Sequence, residues 1–262
     1  MHEVAAVAPA VLADDPRERL RRAFTGPVAS GVVAAAALAV ARVPLGAAWL
    51  TFSLGAFVLG TIVQEFWRGM RSRQAMLHES TPRAISRLVG KNRRRYGGYI
   101  IHVGIVAMFV GVAASSVFRV EVQKTLGPGQ TMEAGPYQLR YEKITTHEDG
   151  HLKSLAAVMT VSEGGRPLGT LTPEKRFYKK PQQPTTEVAM RSRLTDDLYL
   201  VLGSYDQQTG LVTILAYVNP LVSWIWIGGI ILVLGTGVGM WPTAAERREH
   251  AYAPDAVRVA AE

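Results

Sequence analysis

Apolar residues in this chain are concentrated in four long runs, and the third run carries a histidine. That run lies within RRRYGGYIIHVGIVAMFVGVAASSV, residues 93–117, and it has no acidic or basic residue after Arg95 except His102. An uncharged stretch of about 20 residues has the length that a membrane-spanning helix needs. The other three runs cover residues 27–41, 44–67 and 217–241. The pattern therefore predicts four transmembrane helices.

The first run is the weakest of the four, because it is short and rich in alanine. Taken alone it is also compatible with a core helix of a water-soluble protein. Only Arg42, Val43 and Pro44 separate it from the second run, and this short connection favours a transmembrane hairpin. Tryptophans belong at the ends of membrane spans, and this chain has five of them mostly near such ends: Trp49, Trp67, Trp224, Trp226 and Trp241.

Between the third and fourth runs, residues 118–216 follow the two-residue period of β-strands. YQLRYEKI places Tyr137, Leu139 and Tyr141 on one face, whereas DLYLVLGSY and LVTILAYV are apolar on both faces, as buried strands are. Glycine-containing stretches such as Gly127-Pro128-Gly129 separate the strands. Six or seven short strands in about 100 residues are typical of a small barrel or sandwich.

Basic residues predict how the chain is oriented in the membrane. Residues 68–95 hold nine basic residues and one acid, Glu79, whereas residues 118–216 hold 12 basic and 11 acidic residues. Basic segments stay in the cytoplasm, so the formal net charge of +8 mainly reports topology. Binding of a nucleic acid is the alternative use of such a loop, but it has no recognisable nucleic-acid motif, and we expect no such partner.

These observations predict an integral membrane α-helical protein with four transmembrane helices and one β-rich periplasmic domain. The absence of cysteine excludes disulfides and thiol redox chemistry within the chain. Both termini are expected in the cytoplasm, and residues 118–216 outside it. The predicted segments are a cytoplasmic N-terminal segment (1–26), a transmembrane hairpin of two helices (27–67), a basic cytoplasmic loop (68–95), a transmembrane helix with His102 (96–117), the periplasmic β-rich domain (118–216), a transmembrane helix (217–241) and a cytoplasmic tail (242–262).

His102 is the main candidate for chemistry. An ionisable side chain inside a membrane is costly, so it usually faces protein, water or a ligand, and imidazole is a haem-iron ligand. At 100° per residue, Gly97, Gly104 and Gly111 share one stripe, while His102 lies opposite among apolar residues. The glycine stripe suits close helix packing, and the other face suits a flat apolar ligand such as a porphyrin. A hydrogen bond from His102 to a neighbouring helix is equally compatible with the residues.

Three groups of residues are weaker candidates. Arg93, Arg94 and Arg95 lie about two turns from His102 and could pair with haem propionates, although topology alone accounts for each of them. His147 and His151 flank a turn and could hold a metal, but two histidines without a third ligand are more often solvated. The stretch PEKRFYKK, residues 173–180, is either a docking edge or a solvated strand.

Several segments of the chain resemble a known family. YGGYIIHVGIVAMFVG, LTPEKRFYKKPQQPTTEVAMRS, DLYLVLGSYD, YVNPLVSWIWIGG and QEFWRG (64–69) are similar, in the same order, to segments of the C-terminal part of CcmF. CcmF is the membrane protein of the bacterial cytochrome c maturation system, so the resemblance implies a bacterial inner-membrane protein with residues 118–216 in the periplasm. In that family a haem lyase complex transfers haem from the chaperone CcmE to apocytochrome c. The resemblance extends from about residue 27 to residue 241.

The resemblance implies a haem b held by two transmembrane histidines, with His102 as one axial ligand of the iron. The second ligand and a tryptophan-rich haem-handling motif lie in an N-terminal half of CcmF that has no counterpart here. The implied partners are that half, CcmE, a CcmH-type apocytochrome carrier and apocytochrome c itself. The chain is thus expected to be the C-terminal subunit of a haem lyase (a holocytochrome c synthase), incomplete as an enzyme by itself. The alternative is a non-catalytic scaffold or permease-like subunit whose periplasmic domain binds a partner.

Overall fold

The structure is a computed structural model that describes residues 15–149, 151–178 and 184–242, and the chain divides into two units. One unit, residues 1–110 and 227–262, is helical where it is described, and the other, residues 111–226, is built mainly of strands. The predictions for the N-terminal 14 residues, for the tail beyond residue 242 and for Lys179 and Lys180 fall outside the described residues.

The described residues contain four helices that are long and apolar enough to cross a membrane, which confirms the predicted number of spans. A fifth, short helix lies in the segment predicted as a basic loop. Its charged and apolar residues alternate with a helical period, and a proline at its start suits the first helical turn. The helices are α1 (Pro16–Val40), α2 (Ala47–Leu77), α3 (Thr81–Lys91), α4 (Arg93–Val117) and α5 (Ser223–Met240).

Helices α1 and α2 form the expected hairpin. The Ser30 hydroxyl donates a hydrogen bond to the Ala56 carbonyl oxygen at 2.9 Å, and the Gln64 amide donates to the Ala23 carbonyl oxygen at 2.8 Å. A Cβ atom added to Gly31 would lie 3.1 Å from the Ser53 carbonyl oxygen, so the two backbones are close there. Polar bonds and small residues of this kind hold helices together in lipid.

The glycine stripe of α4 packs against α5, as its spacing predicts. A Cβ atom added to Gly104 would lie 2.6 Å from the Gly228 carbonyl oxygen, and one added to Gly97 would lie 2.7 Å from the Gly239 Cα atom. Only glycine allows this approach, since any side chain at Gly104 would overlap backbone atoms. The opposite face of α4, with His102, is consequently turned away from α5.

The other unit is a two-sheet antiparallel structure, which agrees with the predicted sandwich. One sheet has the order β1-β10-β9-β8, and the other has the order β2-β3-β4-β6-β7 with β5 also paired to β4. The strands are β1 (Val120–Leu126), β2 (Thr131–Ala134), β3 (Tyr137–Glu148), β4 (Leu152–Glu163), β5 (Arg166–Leu171), β6 (Glu174–Tyr178), β7 (Pro184–Glu187), β8 (Ala189–Ser192), β9 (Asp196–Tyr205) and β10 (Val212–Pro220).

The core of this unit lies between the sheets and uses the residues that the alternating pattern indicates. Tyr137, Leu139 and Tyr141 are all at most 1% exposed, and Leu198, Leu200 and Leu202 from β9 meet them from the other sheet. The described residues hold ten strands, so the expected six or seven was too few. The additional strands are short, such as β7 and β8 with four residues each, and show little apolar alternation.

Candidate functional site

His102 lies in a groove between α2 and α4, within the helical unit. The groove has a volume of about 320 Å³, and apart from the Thr51 and His102 side chains its walls are apolar. Gly55 lets the helices approach, because a Cβ atom there would lie 3.2 Å from the Val106 side chain. Phe109 and His102 are both largely exposed, so the groove is open on one side. Its lining residues are Leu50, Thr51, Leu54, Gly55, Val58, His102, Ile105, Val106 and Phe109.

One hydrogen bond selects the tautomer that a neutral His102 ring adopts. The Nδ1 atom lies 2.7 Å from the Gly98 carbonyl oxygen, one turn earlier in α4. A carbonyl oxygen can only accept, so Nδ1 carries the proton and donates it. The neutral ring then has its free lone pair on Nε2, which is the form that ligates a metal. This hydrogen bond stays within α4, whereas the helix-to-helix interpretation needs one to a neighbouring helix.

The groove fits one side of a flat apolar group that contains a metal. It offers apolar walls, one nitrogen lone pair and no carboxylate among its lining residues. Its volume is at the lower end of the range for small-molecule pockets, and its open side leaves the rest of such a group uncovered. The described residues of this groove could therefore supply one ligand and one wall for haem.

The three arginines proposed for propionates differ in their contacts. Arg95 lies seven residues before His102, on the same side of α4 and about 10 Å away along the axis. Its guanidinium pairs with Glu65 and donates to the Tyr99 hydroxyl at 2.9 Å. Arg93 donates to the Pro242 carbonyl oxygen at 3.1 Å. Arg95 is thus the best placed of the three, but its charge is partly balanced by Glu65.

The α2 wall of the groove and the Glu65 partner were missed by reasoning from the sequence. Leu50, Leu54 and Val58 are spaced by four residues, which is a detectable helical stripe. In an apolar span, however, most residues belong to some such stripe, and the pattern does not say which stripe meets α4.

The weaker candidates in the strand unit are not brought together as a site. His147 in β3 pairs with Ser154, and His151 lies in the turn, where its backbone N–H donates to Asp149 at 2.7 Å. No group of three potential metal ligands occurs among the residues that the structure describes. Strand β6 is paired on both sides, with β4 and β7, so residues 174–178 offer no free strand edge to which a peptide could pair.

Taken together, the fold and the groove define a class: a multi-span membrane protein with an antiparallel β-sandwich domain and a histidine-lined intramembrane groove. The family described as "CcmF C-terminal beta-sandwich" matches residues 117–220. These observations and the relatives below show that the chain is similar to the C-terminal part of CcmF proteins.

Curated relatives are named as cytochrome c-type biogenesis proteins. The chain is 32% identical over 143 residues to a cytochrome c-type biogenesis protein CcmF of Pseudomonas aeruginosa, covering 55% of this chain and 22% of that protein. It is 25% identical over 238 residues to the cytochrome c-type biogenesis protein CycK of Bradyrhizobium diazoefficiens, covering 91% of this chain and 35% of the relative. The chain therefore spans only about a fifth to a third of these relatives.

A solved structure shares the fold. The structure titled "Cytochrome c Heme Lyase CcmF" has a TM-score of 0.61 and 20% sequence identity, and the match covers 90% of this chain and 36% of that one. The similarity thus extends over the membrane helices as well as the sandwich.

Proposed function

We propose that this chain acts in cytochrome c maturation as the C-terminal, membrane-embedded subunit of a haem lyase complex. The curated relatives are named as cytochrome c-type biogenesis proteins, and the similar solved structure as a haem lyase. The observation that carries the proposal is His102, whose Nδ1–H is held by Gly98 so that Nε2 is available beside an apolar groove.

In this proposal His102 is one axial ligand of a haem b. When bound, the haem would supply one-electron redox chemistry. Gly98 fixes the tautomer and orientation of the imidazole, and Ile105, Val106 and Phe109 exclude water from one face. Arg93, Arg94 and Arg95 supply positive charge near the basic end of α4, where propionates would lie.

The described residues provide one ligand and one wall at this groove, so the proposed site needs a further ligand and further walls. We assign the other axial histidine to an N-terminal CcmF half, with the open side of the groove as its docking face. Residues 118–216 would face the periplasm and bind the CcmE haem chaperone or a CcmH-type carrier of apocytochrome c.

The orientation follows from the basic residues of segment 68–95, which belong in the cytoplasm. Alkaline phosphatase fused after Asp149 should be active, and the same enzyme fused after Thr81 should be inactive. The reverse pattern would exclude a periplasmic sandwich domain of a bacterial inner-membrane protein.

The proposal is tested by His102→Ala in the chain co-expressed with the N-terminal half. The variant should lose the low-spin haem b absorbance of the purified pair and sharply reduce cytochrome c maturation. Membrane insertion should survive, because the Gly97/Gly104 face of α4 that packs against α5 is unchanged, and co-purification of the two chains measures their pairing separately. The matched control is His147→Ala, which removes a histidine from an exposed strand position and should leave the spectrum intact.

Two results would contradict the ligand assignment. One is a wild-type pair without haem, and the other is an unchanged bis-imidazole spectrum in His102→Ala. Either result would favour the scaffold interpretation, in which the substitution costs only about 0.6–2 kcal/mol from one hydrogen bond between helices.

A further inference from the structure

A second groove in the helical unit lies between the short helix α3 and the last helix α5. It is larger than the His102 groove, with a volume of about 610 Å³. It contains no histidine and shares no residue with the His102 groove. Its lining residues are Ser86, Val89, Gly90, Arg93, Val233, Leu234, Gly237, Val238 and Trp241.

The two ends of this groove differ in character. Arg93, Ser86 and Trp241 lie at one end, where α4 begins and α5 has just ended. Val233 and Leu234 lie about 12 Å deeper along α5, at 1.5 Å per residue, and are 68% and 62% exposed. A groove with an arginine and a tryptophan at its polar end and an apolar wall below matches the two parts of a phospholipid.

At the polar end, the described residues leave positive charge without a carboxylate partner. Glu79 accepts from Arg73 at 3.1 Å and also pairs with Arg87, and Glu65 pairs with Arg95. Within the part of the chain that the structure describes, Arg83, Lys91 and Arg93 have no carboxylate partner. The Arg93 guanidinium donates one N–H to the Pro242 carbonyl oxygen. Its other N–H groups can bind a phosphate through two parallel hydrogen bonds.

The glycines of the groove provide a second, independent observation. Glycine inside a helix costs stability, so a helical glycine usually serves a close contact. Gly97, Gly104 and Gly235 each lie in a close helix contact, since an added Cβ atom would lie within 3 Å of backbone atoms of the neighbouring helix. At Gly90 and Gly237, by contrast, an added Cβ atom would meet nothing within 4 Å. Both glycines line the groove from opposite sides, which leaves room for a ligand against the two backbones.

Helix α3 has the character of a helix that lies in a membrane surface. Ala84 and Leu88 are buried against the unit, and Arg83, Arg87 and Lys91 are exposed. A basic amphipathic helix of this kind attracts anionic lipids. It would therefore concentrate such lipids at the mouth of the groove.

We propose that the groove between α3 and α5 binds one anionic phospholipid, such as phosphatidylglycerol. The phosphate lies between Arg93, Ser86 and Trp241, and one acyl chain runs past Gly237 along Val233 and Leu234. Of the residues named for haem, the site shares only Arg93, and the lipid proposal holds whether or not His102 ligates iron.

The proposal is tested by native mass spectrometry of the full chain, delipidated in detergent and titrated with dioleoyl phosphatidylglycerol or dioleoyl phosphatidylcholine. Phosphatidylglycerol should form one adduct and bind about fivefold or more tightly than phosphatidylcholine. Arg93→Gln should remove this preference, whereas the matched charge control Arg83→Gln, outside the groove, should keep it. An excess of inorganic phosphate should not displace the lipid, because the acyl chain contributes to binding.

A steric variant keeps the test valid if Arg93→Gln disturbs the start of α4. Gly237→Leu places a side chain in the open space and should reduce phosphatidylglycerol binding about fivefold or more. Gly229→Leu is the matched control on the same helix, since its added Cβ atom also meets nothing within 4 Å but lies outside the groove.

Any of three outcomes would overturn the proposal. The first is equal binding of the two lipids, and the second is an equal loss in Arg83→Gln and Arg93→Gln, which would indicate diffuse attraction to a basic surface. The third is loss of the lipid adduct in phosphate or on pairing with the N-terminal half, which would indicate an anion site or a protein interface.

Discussion

The strand unit and the helical unit bury their apolar residues in opposite ways. Leu139, Leu200 and Ile214 are fully buried between the two sheets, whereas Phe109 and Val233 in the helices are 62% and 68% exposed. The sandwich thus contains its own core. The helices leave apolar surface for lipid or for another polypeptide, where it carries no penalty.

This contrast indicates that different interactions stabilise the two units. Burial of apolar area stabilises the sandwich. In the helical unit the hydrophobic effect acts between helices and water but not between helices and lipid, so close backbone contact and hydrogen bonds hold the helices together. Substitutions of equal size should therefore have very different effects according to which surface they meet.

The largest effect is expected for Gly104→Leu in the contact between α4 and α5. The new side chain would overlap the Gly228 carbonyl oxygen, 2.6 Å from its Cβ atom, and the backbone cannot move away without separating the helices. The folded helical unit should not be recovered in detergent, as judged by size-exclusion chromatography and tryptophan emission. Gly229→Leu on the facing helix has open space and should behave as wild type; a normal Gly104→Leu protein would show that this contact does not hold the helices.

An intermediate effect is expected for Leu200→Ala in the sandwich core. Removing a fully buried leucine side chain costs about 2–5 kcal/mol of unfolding free energy. The measurement is urea unfolding of residues 117–220 expressed alone, which should also give a β-type circular dichroism spectrum. The control Leu194→Ala removes a side chain that is 66% exposed and should change stability by less than about 0.5 kcal/mol. Similar losses in the two variants, or a mainly helical spectrum, would contradict an independent sandwich core.

The smallest effect is a pH dependence of the sandwich from Asp206, in the turn between β9 and β10. Its carboxylate accepts from the Thr209 hydroxyl at 2.6 Å and from the Gln208 backbone N–H at 2.8 Å. These bonds lower the pKa of Asp206 below its ordinary value of 3.8. Between the lowered pKa and about pH 4, the folded state therefore binds fewer protons than the unfolded state. The contribution of Asp206 to the free energy of unfolding is fully present above about pH 4 and is lost as the pH drops toward the lowered pKa.

Asp206→Asn keeps an acceptor in the turn but cannot titrate. The unfolding free energy of the variant should thus fall less steeply below about pH 4 than that of wild type, while the two curves stay parallel near pH 7. Identical slopes in the acid range would show that Asp206 does not contribute to the pH dependence. Asp149, whose pKa is also lowered by backbone N–H bonds, remains in both proteins and gives the same background.

Several features could be predicted from the sequence because they depend on local periodicity. The lengths of the apolar runs predict the four spans, the two-residue alternation places Tyr137, Leu139 and Tyr141 in a core, and the seven-residue spacing of glycines indicates a close helix contact. The short edge strands were missed because four residues carry too little alternation to be recognised.

For the candidate site, the sequence by itself determined the residue but not its surroundings. It indicated His102, since an ionisable group in an apolar run is costly at any position in the fold. Only the tertiary structure decided that α2 forms the facing wall, that Gly98 holds Nδ1 and that Glu65 pairs with Arg95. Only the tertiary structure, likewise, brings α3 and α5 together to form the second groove. The physical reason is that periodicity fixes which residues share a face of one element, whereas the packing of several elements at once selects which face meets which.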